Sequence, residues 1–201
     1  MKFSRLVIPV FSLVMLSACS GGGGKRISIM STGKLKVNDQ DTKNITLDAG
    51  TTHYEKEIYL PGSDKITISV KTPGGVKTFD ADGDGLFLLN LQTDTLIGGM
   101  VNYSAVESTS QLTADDVDKM VDSTKALLLG KNASDANKTY WVIPFSIKKI
   151  SNNHEAKLIG PYHPIPSSVS GGAGKTPEVY KFNTNMDKRA TLEKLLLELK
   201  K

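Results

Sequence analysis

The stretch Leu86-Phe87-Leu88-Leu89-Asn90-Leu91 carries apolar side chains at five of six successive positions. A short continuous apolar run that follows a turn signal, here the Asp- and Gly-rich residues 80–85, is consistent with a strand in the centre of a sheet. The next apolar segment, residues 96–103, is expected to pair with it. Our interpretation of the fold therefore starts from this run as the central strand.

The sequence around the central run, from residue 27 to about residue 104, alternates between apolar and polar residues. Such alternation puts one face of a strand toward a core and the other toward solvent. The alternating apolar positions are Leu35 and Val37, Ile45 and Leu47, and Ile66, Ile68 and Val70. Turn-forming residues separate these runs at 50, 61–64 and 73–75. Short strands at this spacing predict an antiparallel, β-sandwich-like part.

The rest of the chain, residues 105–201, predicts a mixture of strands and helices. Helices are expected at about 113–129 and 186–200, where apolar residues follow the helical period. A strand is expected over residues 140–150, with Pro144 favouring an edge position or a bulge, and a short one over 179–182. The predicted fold class is α+β, with both helices packed on strands. Residues 27–104 and 105–201 form either two units or one.

The N-terminus has the features of an export signal. Lys2 and Arg5 precede an apolar run over residues 6–16, which is too short for the roughly 20 residues that a spanning helix needs. The run ends in Leu16-Ser17-Ala18-Cys19, which resembles the lipobox of bacterial lipoproteins. The resemblance implies a signal peptide over 1–18 and a lipid, such as palmitate, attached to Cys19. The alternative is a secretory signal cleaved after Ala18 that leaves Cys19 free.

Residues 19–26 are expected to form the lipid anchor and a glycine-rich tether. By resemblance to Gram-negative lipoproteins, Ser20 implies an outer-membrane protein, because a residue other than Asp follows the cysteine. The basic pair Lys25 and Arg26 favours a domain that faces the periplasm. This pair either contacts anionic lipid headgroups or lies in a solvated linker. Residues 85–99 and 127–144 also resemble stretches of bacterial lipoproteins that have no assigned activity.

Charge and cysteine content exclude several classes of protein. The chain of 201 residues has a net charge of +4, and without Lys2 and Arg5 it has 23 basic and 21 acidic residues. The acidic residues are interspersed among the basic ones, which is not the pattern of a nucleic-acid-binding surface. Cys19 is the single cysteine, so no intramolecular disulfide stabilises the fold. The domain must be held together by its hydrophobic core.

The segment Asp80-Ala81-Asp82-Gly83-Asp84-Gly85 has the spacing of a calcium loop. Alternate carboxylates at Asp80, Asp82 and Asp84 can converge on a hard cation, and glycine permits the sharp turn. The twelfth position is Leu91, however, and an EF-hand needs a bidentate acid there and a helix on each side. Two interpretations stay open: a hairpin loop that binds Ca²⁺ through these three carboxylates, or a turn without metal.

Other catalytic patterns are weak. Gly171-Gly172-Ala173-Gly174-Lys175-Thr176 has part of a phosphate-loop pattern, but Val169 occupies the position of its first glycine. The histidines His53, His154 and His163 lie in no recognisable catalytic motif. We therefore do not expect an enzyme and expect no bound cofactor other than, at most, Ca²⁺.

The function predicted from the sequence is that of a membrane-anchored accessory or binding protein of the bacterial envelope. It would contact the membrane through its lipid and bind an envelope protein partner through an exposed patch near Tyr140, Trp141 and residues 160–177. One alternative is a Ca²⁺-dependent adhesion or glycan-binding module that uses residues 80–84. A second is an envelope hydrolase, which would have a deep pocket with a histidine or paired acids.

Overall fold

The computed structural model describes residues 23–38, 41–101, 114–166, 169 and 178–198. Within these residues it contains twelve strands and two helices. The strands are β1 (Gly24–Thr32), β2 (Leu35–Asn38), β3 (Asp41–Leu47), β4 (His53–Pro61), β5 (Ile66–Thr72), β6 (Gly75–Ala81), β7 (Gly85–Leu91), β8 (Leu96–Met100), β9 (Thr139–Val142), β10 (Ser146–Ser151), β11 (Lys157–Ile159) and β12 (Val179–Thr184). The helices are α1 (Ala114–Leu128) and α2 (Asn185–Glu198).

The strands form three four-stranded sheets. Sheet I has the order β10-β7-β1-β4, sheet II the order β2-β3-β5-β6, and sheet III the order β11-β12-β8-β9. The predicted α+β class with packed sheets is confirmed. The sheets are not purely antiparallel as expected, because each contains one parallel pair: β1 with β7, β3 with β5, and β11 with β12. Side-chain alternation is the same in both kinds of pair, so it could not distinguish them.

Sheet I is the middle layer of the body, and β7 lies inside it. Phe87 and Leu89 belong to the core shared with sheet II, while Leu86 and Leu88 belong to the core shared with sheet III. All seven residues of β7 are buried. Full burial of a leucine side chain contributes roughly 1.5–3 kcal/mol. The continuous apolar run thus reflects a strand that is covered on both faces, as is usual where a sheet is packed on both sides.

The two cores differ in composition. The core between sheets I and II, called core 1 below, consists of aliphatic residues and two phenylalanines: Ile27, Ile29, Ile45, Leu47, Ile58, Leu60, Ile68, Val70, Phe79, Ala81, Phe87, Leu89 and Leu91. The core between sheets I and III, called core 2, includes two tyrosines: Met30, Leu86, Leu88, Leu96, Tyr140, Val142, Ile150, Ala156, Tyr180 and Phe182. The tyrosine hydroxyls bring polar groups to the rim of core 2.

The expected pairing of residues 96–103 with the central run is wrong. Strand β8 pairs with β12 and β9 in sheet III, because the chain leaves sheet I after Leu91. Asn90 holds this crossing: its Nδ2 donates to the carbonyls of Asp94 and Val142 at 2.9 and 3.0 Å. Its Oδ1 accepts from the backbone N–H of Gln92 at 3.0 Å. A buried amide in an otherwise apolar run therefore fixes the path of the chain between two sheets.

The strand predicted over residues 140–150 is two strands in different sheets. Strand β9 forms an edge of sheet III, and β10 forms an edge of sheet I. Pro144 lies between them, where no ladder hydrogen bond is needed from its nitrogen. Phe145 has a φ of 52°, in the left-handed region, which turns the chain from one sheet to the next.

The two helices lie within two residues of their predicted bounds. Helix α2 contacts β8 and β12, and α1 packs on α2. Thr184 and Asp187 cap α2: the backbone N–H of Asp187 donates to Thr184 Oγ1 at 3.0 Å, and that hydroxyl donates to Asp187 Oδ2 at 2.7 Å. Residue 113, where α1 was predicted to begin, lies outside the described residues. In the part of the chain that the structure describes, no helix is long and apolar enough to cross a membrane.

The predicted tether, residues 19–26, includes three residues that belong to strand β1. Strand β1 begins at Gly24, which is opposite Pro61 of β4, and Lys25 pairs with Gly85 of β7. The side chain of Lys25 is 0% exposed, and its Nζ donates to the carbonyl of Gly62 at 2.8 Å. A buried lysine cannot contact lipid headgroups. The part of the chain between Cys19 and the first strand is therefore residues 20–23.

Candidate functional site

The predicted lipidation site, Cys19, lies outside the described residues, and so does the glycine-rich segment over 171–176. Among the histidines, His154 is exposed in the turn after β10. The other two lie in separate clefts, His53 against Tyr162 and His163 against Glu55. The structure therefore does not bring the three histidines together.

The carboxylates of the Asp80–Asp84 segment point to different partners. Asp80 accepts from Lys65 Nζ and from Thr67 Oγ1, each at 2.7 Å, and these hydrogen bonds lower the pKa of Asp80. Asp84 Oδ2 accepts from Ser63 at 3.0 Å, while Asp82 is exposed. Across the described ranges, no group of three or more His, Cys, Asp or Glu side chains is placed to hold a metal ion. Asp80 is the second-last residue of β6, and residues 82–84 form the turn between β6 and β7.

A polar cleft of about 380 Å³ opens at the rim of core 2, and Glu178 is among the residues that line it. Glu178 accepts three side-chain hydrogen bonds: from Tyr180 at 2.6 Å, from Ser151 at 2.7 Å and from Lys138 at 2.8 Å. Ser151 Oγ also accepts from the backbone N–H of Asn153 at 3.0 Å. The carboxylate is thus surrounded by donors that come from three separate parts of the chain.

This network determines what Glu178 can do. Burial alone would raise its pKa, but the hydrogen bonds from Lys138, Tyr180 and Ser151 outweigh burial and lower the pKa. A general base works best with a pKa near the ambient pH, so Glu178 is poorly suited to activating Ser151. Burial and the bond to Glu178 also raise the pKa of Tyr180, which keeps it a neutral donor. The cleft is therefore lined by a hydrogen-bond network that joins the end of β10 to the start of β12.

A wider groove of about 740 Å³ lies between sheet I and β11, the edge strand of sheet III. Arg26 and Glu55 of sheet I line it on one side, and β11 with the following loop lines the other. The carboxylate of Glu55 lies 3.5 Å from His163 Nε2. Burial raises the pKa of Glu55, and the charges of His163 and Lys181 only partly oppose that effect.

A third cavity, of about 280 Å³, lies at the end of sheet I that is opposite Gly24. Its lining residues come from β1, β4, the crossing after β7, the loop after β11, the end of β12 and the start of α2: Thr32, His53, Gln92, Thr93, Asp94, Tyr162, Thr184, Met186 and Asp187. The rings of His53 and Tyr162 stack with centroids 4.1 Å apart and an interplanar angle of 27°. We call it the distal cavity.

The predicted apolar patch is only partly present. Tyr140 is buried in core 2, whereas Trp141 is 41% and the neighbouring Ile143 is 54% exposed. Tyr162 and Ile165 of the long loop are exposed as well. Alternation along β9 explains the difference, because adjacent residues of a strand face opposite sides.

Sequence reasoning missed Gln92, Asp94, Glu178 and the groove residue Glu55. None of them belongs to a spaced motif, since each cavity collects side chains from distant segments. The one local signal was the Asn90–Asp94 stretch, whose polar residues interrupt an apolar run. The sequence matches no protein-family model, and comparison with curated proteins and with solved structures finds no match.

Proposed function

We propose that this protein is a lipid-anchored component of the bacterial cell envelope that binds a partner molecule and does not catalyse a reaction. The observation that carries the proposal is the position of β1. This strand begins at Gly24, five residues after Cys19 of the lipobox-like sequence, and it lies inside sheet I. The export and lipidation signal thus leads almost directly into the folded body.

The short connection constrains how the body meets a membrane. Extended chain spans at most about 3.6 Å per residue, so Gly24 lies within about 18 Å of a lipid on Cys19. Gly62 and Gly85 lie beside this end of β1: the N–H of Gly62 donates to the carbonyl of Gly23 at 3.0 Å, and Gly85 pairs with Lys25. We call this the anchor end of the body. Turns at the anchor end would lie near the bilayer, and the distal cavity would face away from it.

The polar groups of the cleft support binding over catalysis. Nucleophilic catalysis requires a base that is free to take a proton from the nucleophile. Glu178 is instead occupied by three donors, one of them the cationic Lys138. The groove and the distal cavity add accessible volume lined by mixed polar and apolar side chains, which suits recognition of a ligand or a protein segment.

Replacement of the lipidated cysteine tests the proposal. Cys19→Ala should abolish labelling by palmitate and release the protein from the membrane fraction, because the acyl chains supply the membrane affinity. Ser20→Ala is the matched control and should keep both label and membrane retention. A Cys19→Ala protein that still carries label and sediments with membranes would contradict the proposal.

The proposed location is the outer membrane, with the body facing the periplasm. Ser20→Asp should move the protein to the inner membrane in a Gram-negative host, measured by density-gradient separation of the two membranes. Protease added to intact cells should leave the body uncut, and cleavage after the outer membrane is permeabilised serves as the control. Digestion in intact cells would place the body on the cell surface instead.

A further inference from the structure

The distal cavity is lined by a buried side-chain amide of which only the oxygen forms a hydrogen bond. Gln92 is 1% exposed and lines the cavity. Its Oε1 accepts a long hydrogen bond of 3.4 Å from the Tyr162 hydroxyl, while its Nε2 has no hydrogen-bond partner in the described part of the chain. An unpaired buried donor costs about 1–3 kcal/mol. Nε2 is itself buried, so a small shift of the Gln92 side chain toward the cavity would let it pair with a ligand acceptor and would remove that cost.

Other residues that line the cavity offer acceptors. Asp94 and Asp187 both lie at the N-terminus of α2, where Asp94 Oδ2 accepts from the Met186 N–H at 3.1 Å. Asp187 Oδ2 accepts from Thr184 at 2.7 Å. A carboxylate has about four lone-pair positions, so both groups can accept further hydrogen bonds. Because the helix N-terminus offsets their negative charge, they do not require a cationic ligand.

An aromatic surface completes the site. The stacked rings of His53 and Tyr162 lie at the cavity wall, and Tyr162 is 42% exposed. The face of an aromatic ring carries partial negative charge and attracts the weakly positive hydrogens of C–H groups. The cavity therefore combines one buried donor, several acceptors and one flat apolar face.

We propose that the distal cavity binds a single sugar ring, as a free saccharide or as one unit of a glycan. A hydroxyl group both donates and accepts, so adjacent hydroxyls of one ring can satisfy Gln92 Nε2 and the carboxylates of Asp94 and Asp187 together. The C–H face of the ring then packs on Tyr162. The volume of about 280 Å³ is near the lower limit for small-molecule sites, roughly 300 Å³, and suits one ring better than a chain.

The sugar site specifies a ligand class for the proposed binding function. Only the orientation of the cavity relative to the membrane depends on the proposed lipid anchor. Thr32 and His53, which pair in register, mark the end of sheet I farthest from Gly24. A protein held at Cys19 would present this cavity to glycans away from the membrane. Sugar binding in solution tests the cavity alone, so its failure is distinguishable from failure of the anchor.

Titration of the purified full-length chain in detergent tests the site. The ligands are glucose and N-acetylglucosamine, with lysine and choline as cationic probes. Binding is measured by NMR of the side-chain amides and by calorimetry. We expect saturable, millimolar binding of at least one sugar and a shift of the Gln92 amide resonances. Gln92→Leu, which keeps the side chain's bulk but removes the donor, should weaken binding about tenfold.

The control variant is Asn44→Leu, which is exposed on β3 of sheet II and lines none of the three cavities. It should bind sugar as the unchanged protein does, and a melting curve for each variant confirms that it is folded. No saturable effect of either sugar at tens of millimolar would overturn the proposal, as would equal binding by folded Gln92→Leu. Binding of lysine or choline without binding of sugar would overturn it in favour of a cation site.

Discussion

The two faces of sheet I differ in chemistry. Toward sheet II, the buried residues of the face are apolar except for Lys25 and Ser31, which lie near the two ends of β1. Toward sheet III, the buried face includes Ser28 and Asn90, and the tyrosines of core 2 pack against it. All three cavities are on the sheet III side. Core 1 therefore contributes mainly stability, while the sheet III side also carries the cavities in which we propose that a ligand binds.

The largest expected effect comes from removing packing on either face of β7. Leu89→Ala in core 1 and Leu88→Ala in core 2 should each lower the free energy of unfolding by about 2–5 kcal/mol, because each leaves a cavity at a fully buried site. Urea denaturation measures both losses. Val76→Ala on the exposed side of β6 is the control. A loss below about 1 kcal/mol for Leu88→Ala would mean that sheet III does not cover sheet I.

A smaller effect is expected at Asn90, the buried amide on the sheet III side of β7. Asn90→Leu should cost about 1–3 kcal/mol, although leucine is apolar and similar in volume, because it leaves the carbonyls of Asp94 and Val142 without a donor. Thermal and urea unfolding measure this loss. If Asn90→Leu proved neutral or stabilising, the chain crossing would be set by packing alone.

The smallest effects are of opposite sign and involve two glutamates on the sheet III side. The hydrogen bonds that lower the pKa of Glu178 stabilise the fold above the unfolded value near 4.5, and this stabilisation is lost as the pH falls through the lower folded pKa. Glu178→Gln should therefore cost about 1 kcal/mol at pH 7, a modest figure since Lys138 is half exposed. The variant should also flatten the acid limb of stability against pH.

Glu55 is the matched comparison for Glu178. Burial raises its pKa, so ionising it disfavours the folded state, and stability decreases as the pH rises from 4.5 through the raised folded pKa. Glu55→Gln should leave stability at pH 7 unchanged or slightly higher. Melting temperatures of both variants from pH 3 to pH 8 test the pair. Parallel pH profiles for the two variants would contradict the assigned environments.

Local patterns predicted the strands and helices of this fold better than the pairing of the strands. The run at residues 86–91 predicted a central strand, and the helical periods located α1 and α2, because burial leaves a local trace in the sequence. The parallel pairing of β1 with β7 left no such trace, since its two strands are about sixty residues apart. Pro144 predicted an edge position or a bulge. The change of sheet depends instead on the left-handed backbone of Phe145, which the sequence did not indicate.

The candidate sites were less predictable than the fold. The spacing of Asp80, Asp82 and Asp84 suggested a metal loop, yet Lys65 and Thr67, which reach Asp80 from the neighbouring strand, decide where its carboxylate points. Gln92 carries no catalytic or metal-binding signature, and its place in the proposed sugar site depends on Tyr162 and α2 lying nearby. Sites assembled from distant segments require the tertiary fold before their chemistry is visible.

The position of β1 also has a mechanical consequence. A lipid on Cys19 would transmit any pull from the membrane through Gly24 and along the axis of β1. The hydrogen bonds to β4 and β7 run across that axis on both sides of the strand, so tension would load the two ladders in shear and distribute the force over many bonds at once. An attachment at Cys19 would therefore pull on a strand that two hydrogen-bonded ladders hold at the same time.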